Sequence, residues 1–172
     1  DEMMTGWILP LAATVRLSIS DGGKTVNAGW EFDKVMVSNH HSYQVQGNPW
    51  QPVPPCKFHN HWTVTTPEGW SCLFIPPLNR PQPLFQVFSG IVETDSYRSP
   101  VHFPFVATAA DGVHVIEKGT PLVQVIPFKR EPSQLNYDIR AEGESETLLR
   151  EKIRRNTQTE EGWYRRHSRA QR

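Results

Sequence analysis

Cysteine is almost missing from this sequence, since Cys56 and Cys72 are the only two. Two thiols cannot build a disulfide framework, and their separation is too wide for a zinc knuckle, so a reducing compartment is the default. No apolar run approaches the roughly 20 residues that cross a bilayer, and the first residues lack the charged, apolar and cleavage segments of a leader. The expectation is a soluble, untargeted chain with no membrane partner, cytoplasmic, or virion-associated if phage-encoded. Net charge is also missing, with 18 Lys and Arg against 18 Asp and Glu. No internal repeat or low-complexity segment is present. Ser71-Cys72 lies in a buried-looking apolar run with no glycine elbow, which excludes the usual serine or cysteine nucleophile motifs.

The charge that exists is unevenly placed. Residues 150–172 carry 8 of the 18 basic residues but only 3 of the 18 acidic ones. A basic tail on an acidic body can dock on nucleic acid or on the acidic body of its own or a neighbouring subunit. Glu151, Glu160 and Glu161 interrupt the positive run, and only Trp163 and Tyr164 offer stacking surfaces there, which favours docking on protein.

All fifteen prolines and nine of the eleven glycines fall at short intervals up to about residue 133, with β-branched and aromatic runs between them. This punctuation predicts an all-β domain, an antiparallel sandwich or barrel, over residues 1–135. Period-two alternation places a strand at 14–20, where Val15, Leu17 and Ile19 alternate with polar residues before Asp21-Gly22-Gly23. Further strands are expected at 31–37, 58–65, 70–75, 84–92, 101–108, 113–116 and 122–128. In the 58–65 strand, Phe58, Trp62 and Val64 share one face, with His59, His61, Thr63 and Thr65 on the other. Residues 38–57 read as a long irregular loop, because Pro52, Pro54 and Pro55 remove donors that a central strand needs. From Glu142 the composition turns helical, with Leu149 and Ile153 four apart, and Thr157 with Glu160 forms a candidate capping box for a second short helix carrying Trp163 and His167. Such narrow apolar stripes must pack on the β-domain or a neighbouring subunit, so residues 136–172 are expected to form a helical basic tail.

Three sets of residues could carry chemistry. In the first, a strand delivers Glu93, Asp95 and Tyr97 into a turn, with both acids on one face, suited to a general base, a cation site or a hydrogen-bonded turn. The second is histidine: His59 and His61, two apart on a strand face, can reach one metal ion. His102, Glu93 or Asp95 would supply the third ligand, and two histidines with one carboxylate would suit ferrous iron. The third is Asn79-Arg80 after Pro76-Pro77, a guanidinium placed for a phosphate or carboxylate, with Trp50 in the long loop able to cover a ligand.

Two resemblances follow from these motifs. The stretch 58–130, with Thr66-Pro67-Glu68-Gly69-Trp70, Pro77-Leu78-Asn79-Arg80, Ser89-Gly90-Ile91-Val92-Glu93-Thr94-Asp95 and Lys118-Gly119-Thr120-Pro121 leading into Leu122-Val123-Gln124-Val125-Ile126-Pro127-Phe128, resembles a bacterial and phage family recorded as a domain of unknown function. In motif order it is also similar to the trimeric dUTPase and dCTP deaminase fold. That second resemblance implies an all-β subunit that trimerises, with Glu93 in the place of the catalytic carboxylate and Tyr97 near the base-discriminating tyrosine. The phosphate motif reads Pro-Pro-Leu-Asn-Arg here, and a helical tail replaces the glycine-rich arm.

Three functional readings emerge. The first is an oligomeric β-domain with a binding or structural role, phage assembly being one such role, lacking a complete catalytic set and taking at most a small-molecule ligand, with no nucleic-acid partner. The second is a metal-dependent, oxygenase-like enzyme using His59, His61 and a carboxylate or His102. The third is a nucleotide phosphohydrolase or deaminase centred on Glu93. The cofactor expected for the enzyme readings is a divalent metal, iron or magnesium.

Overall fold

The computed structural model describes residues 6–130 and 139–157. The chain divides into two compact units, Asp1–Glu131 and Pro132–Arg172.

The first unit is built from eleven strands: β1 (Trp7–Pro10), β2 (Val15–Ser20), β3 (Thr25–Trp30), β4 (Val37–Asn39), β5 (Cys56–Phe58), β6 (Trp70–Ile75), β7 (Phe85–Val87), β8 (Gly90–Val92), β9 (Phe103–Ala107), β10 (Gly112–Ile116) and β11 (Pro121–Lys129). All pairings are antiparallel and form three sheets, ordered β1-β11-β6-β8, β10-β2-β3 and β4-β5-β9-β7. The all-β expectation holds.

Alternation explains how the sheets share a core. In β2, Val15, Leu17 and Ile19 are buried while Arg16, Ser18 and Ser20 face out, as a half-buried strand requires. The same side-selection delivers Leu9, Val123 and Val125, Cys72 and Phe74, and Phe58, Phe85 and Phe105 into one cluster. At its centre Phe58 stacks on Phe105, ring centroids 3.9 Å apart and planes 15° from parallel, while Phe85 meets Phe58 edge-on at 4.9 Å. Large aromatic rings supply much of the buried apolar area in a core of this kind.

Several expected strands change shape. The run 84–92 is two strands in different sheets. β7 pairs with β9 and β8 pairs with β6, the chain crossing between them at Phe88-Ser89. Local patterning is blind to such a switch, because both halves keep apolar residues. Residues 31–34 are bends and 35–36 are irregular, and the strand missed upstream is β3. The 58–65 strand ends at Phe58: Asn60 donates to the Trp62 carbonyl at 2.6 Å and accepts the Trp62 N–H at 3.2 Å. An asparagine that hydrogen-bonds its own neighbours offers the backbone an alternative to a ladder, so the alternation fails there. Trp62, expected in the core, is 65% exposed. The 38–57 segment is irregular at its centre but is bracketed by β4 and β5 and holds a 3-10 turn at Ser42–Val45.

The second unit contains α1 (Glu144–Thr157). Glu146 accepts the Gly143 N–H at 2.7 Å, satisfying a donor at the helix start. Glu142 accepts from the Arg150 guanidinium, and Arg140 pairs with Glu146. Leu148 and Leu149 stay more than half exposed. The proposed second helix with Trp163 and His167 falls outside the described residues. No helix among those described is long and apolar enough to cross a membrane.

Replacing Phe105 by Ala should cost about 3–5 kcal/mol by removing the stacked core ring, measured by urea unfolding. Trp62→Ala should change stability by no more than about 0.5 kcal/mol.

Candidate functional site

The histidines come together through sheet register. β5 and β9 pair with Phe58 opposite Phe103, so the next opposing pair, just beyond the ladder, is His59 and His102. Their rings lie 4.3 Å apart, inclined at 40°. His59 Nε2 is 2.8 Å from Ser38 Oγ, and its N–H donates to the Met36 carbonyl at 2.9 Å. The Asn60 N–H donates to His102 Nδ1 at 3.3 Å, which places the proton of a neutral His102 ring on Nε2. His61 is set apart by the Asn60 turn. Its ring is tilted against Phe32 at 5.9 Å, and its Nε2 is buried with no hydrogen-bond partner among the described residues.

These rings sit in an electropositive, partly dry setting. Burial, then His102, Lys57 and His61, lower the His59 pKa from 6.5 to about 4. Burial, then Lys57 and His61, also lower that of His102. Neutral imidazoles are good metal ligands. Among the described residues, however, no three His, Cys, Asp or Glu side chains are gathered as a metal-holding set.

The acidic turn is organised around a different partner. Thr94 is fully buried, its Oγ1 2.7 Å from Thr66 Oγ1, and this anchor sends its two neighbours into unlike surroundings. Asp95 accepts the Gly69 N–H at 2.9 Å and is clasped by both terminal nitrogens of Arg130. Arg130 also donates to the Trp70 carbonyl at 2.9 Å and Ser71 Oγ at 2.8 Å. The Arg130 hydrogen bonds outweigh burial and hold the Asp95 pKa at about 2. A carboxylate so engaged is a weak base, and its work here is to tie the turn after β8 to the ends of β6 and β11. Glu93 is exposed, and its carbonyl closes the turn by accepting the Ser96 and Tyr97 N–H groups at 3.1 and 2.8 Å. Tyr97 is also exposed.

Asn79 and Arg80 line one cleft of about 260 Å³ with Pro76, Pro77, Phe85 and Leu122. Asn79 takes φ +58°, a left-handed conformation that asparagine tolerates better than most residues, and the Arg80 N–H closes the turn on the Pro77 carbonyl at 3.3 Å. Trp50 lies elsewhere, half-buried with its ring edge-on to Phe88 at 5.4 Å. Burial pushes the Cys56 thiol up to about 11, far from a reactive thiolate.

No family model matches the chain, and no curated protein is significantly similar to it.

Sequence reading missed Arg130 as the partner of Asp95, because 35 positions separate them and only sheet pairing closes the gap. It also missed a larger cleft around Arg16. The alternation of β2 does place Arg16 on the wet face, which is the one local signal for it.

Acid sensitivity follows from His59. Above pH 6.5 both folded and unfolded forms are neutral. Below 6.5 the unfolded chain binds a proton that the folded ring refuses until about pH 4, so stability falls as pH drops across that window. Thermal unfolding from pH 7.5 to 4 should show this slope in the parent protein and a shallower one in His59→Gln.

Proposed function

We propose that the protein is an oligomeric binding or structural β-domain whose subunits meet across the outer face of the β1-β11-β6-β8 sheet. The observation that carries this reading is an apolar face lying outside the core. Register sets Ile8 across from Gln124 and Ile75, and Ile126 across from Leu73 and Ile91, so these side chains share one side. The opposite side of the same strands supplies Leu9, Val123, Val125, Cys72 and Phe74 to the core cluster. Ile8, Leu73, Ile75, Ile91 and Ile126 belong neither to that cluster nor to the side chains packed on it. Ile91 is 64% exposed on edge strand β8. An antiparallel sheet with one wet face is expected to carry polar residues there. Gln124 stands between Ile8 and Ile75, buried, with its Oε1 accepting the Leu78 N–H at 3.0 Å, so that end of the face is covered within the chain, and the aliphatic patch of Leu73, Ile91 and Ile126 is the part that suits burial against a partner.

The partner we infer is a second copy of this chain, since self-association is the commonest way for a sheet face of this kind to be covered. A trimer is the form implied by the resemblance to the dUTPase-like fold. Supporting a non-catalytic role, Asp95 spends its oxygens on Arg130 and Gly69, and Glu93 stands exposed.

The test is mass measurement in solution. The parent chain is expected to run as an oligomer by sedimentation equilibrium, and Ile91→Glu, at an exposed position that the fold does not need, should shift it to monomer with unchanged circular dichroism. A monomeric parent at high micromolar concentration would defeat the reading.

A further inference from the structure

A cleft of about 650 Å³, larger than the one at Asn79 and Arg80, opens at the β10-β2-β3 sheet around Arg16, away from the acidic turn and from His59 and His102. Register explains how it forms. Arg16, the second residue of the central strand β2, stands between Val115 on β10 and Gly29 on β3. Gly29 leaves a gap beside the guanidinium, because a Cβ placed there would meet nothing within 4 Å. Trp30 and Phe32 leave the same edge strand, and Trp30 packs against the core while lining the cleft. Lys118, in the turn between β10 and β11, is fixed at its backbone: its N–H donates to Thr14 Oγ1 at 3.0 Å, and that hydroxyl donates to Glu117 at 3.2 Å.

Charge decides what such a cleft takes. Arg16 and Lys118 are its lining cations and Glu31 its lining carboxylate, and Glu117 sits just outside on the Thr14 hydroxyl, so the preference rests on the disposition of the cations rather than on net charge. Among the described residues the Arg16 guanidinium and the Lys118 ammonium have neither a hydrogen-bond nor an ion-pair partner. A central-strand arginine held between a valine and a glycine, with no acid opposite, is an unusual use of a guanidinium, whose planar fork matches a carboxylate through two parallel hydrogen bonds. The volume falls in the range of small-molecule sites, which combine apolar and aromatic walls with a few placed polar groups. Trp30, Phe32 and the open floor at Gly29 supply a surface for a flat ring.

The geometry points to this cleft as a binding site for a small aromatic carboxylate, its ring lying on the Gly29 floor beside Trp30 and Phe32 and its carboxylate on Arg16, with Lys118 reinforcing the charge. The site is separate from the sheet face proposed for self-association, and either can fail without the other.

The experiment is isothermal titration of the full chain with 2-naphthoate, set beside 2-naphthylmethanol, which keeps the ring and loses the charge, and acetate, which keeps the charge and loses the ring. Saturable binding of one 2-naphthoate per chain is expected, with the alcohol and Arg16→Gln each weaker by about tenfold, as loss of a charge-assisted pair implies, and acetate showing no saturation. Gly29→Leu, which fills the floor, should abolish binding. Lys118→Gln, at an exposed turn, provides a second charge deletion that leaves the sheet intact and should weaken binding severalfold. The proposal is overturned if the folded parent chain shows no saturable heat with 2-naphthoate at millimolar concentration. Equal affinity for acid and alcohol, or unchanged affinity in Lys118→Gln and whichever of the other two variants retains the parent circular dichroism, would overturn it as well.

Discussion

The stack of Phe58 on Phe105 is the contact on which the rest of the β-unit depends. The two rings sit diagonally across the β5–β9 pair, where Phe58 faces Phe103 and Cys56 faces Phe105. A slip of one residue would turn one strand inside out relative to the other, because side chains alternate faces with a period of two. Holding that register closes the aromatic core and also sets His59 against His102 at the strand ends. The histidine pair is thus a by-product of core packing rather than an independently positioned cluster. Its low basicity follows from where that packing leaves it, beside Lys57 and partly shielded from water.

A second fastening joins distant segments at the other sheet. Arg130 reaches from the end of β11 to the Trp70 carbonyl, Ser71 and Asp95, and its own N–H donates to the Gly69 carbonyl at 2.7 Å. One guanidinium therefore gathers the start of β6, the end of β11 and the turn after β8. The turn that looked in sequence like a place for two cooperating acids becomes a place where one acid is structural and the other is left at the surface. Thr94, buried between them, is what separates their environments.

How much of this could be read locally varies by strand. β2, β6, β10 and β11 are legible because each is a clean alternating or continuous apolar run ended by a turn signal. β1 and β3 escape notice: Trp7–Pro10 is short, and Thr25–Trp30 contains asparagine, alanine and glycine, which carry little strand preference. The run through Asn60 fails for the opposite reason, since its pattern looks regular while the asparagine side chain captures the backbone. Among the site residues, Asn79 and Arg80 do share a cleft as their adjacency implies, whereas Trp50 packs on Phe88 instead of beside them.

Taken alone, the sequence determined the all-β class, the identity of the core-facing residues in the regular strands, the turns that end them and the change to helix near residue 142, because each is written in short-range periodicity and in the backbone limits of proline and glycine. The tertiary structure alone decided that His59 meets His102, that Asp95 answers to Arg130, that residues 84–92 divide between two sheets, and that Arg16 opens onto a cleft beside Trp30 and Phe32. Each of those depends on which strands become neighbours and in what register, and that choice is made by the packing of side chains far apart along the chain.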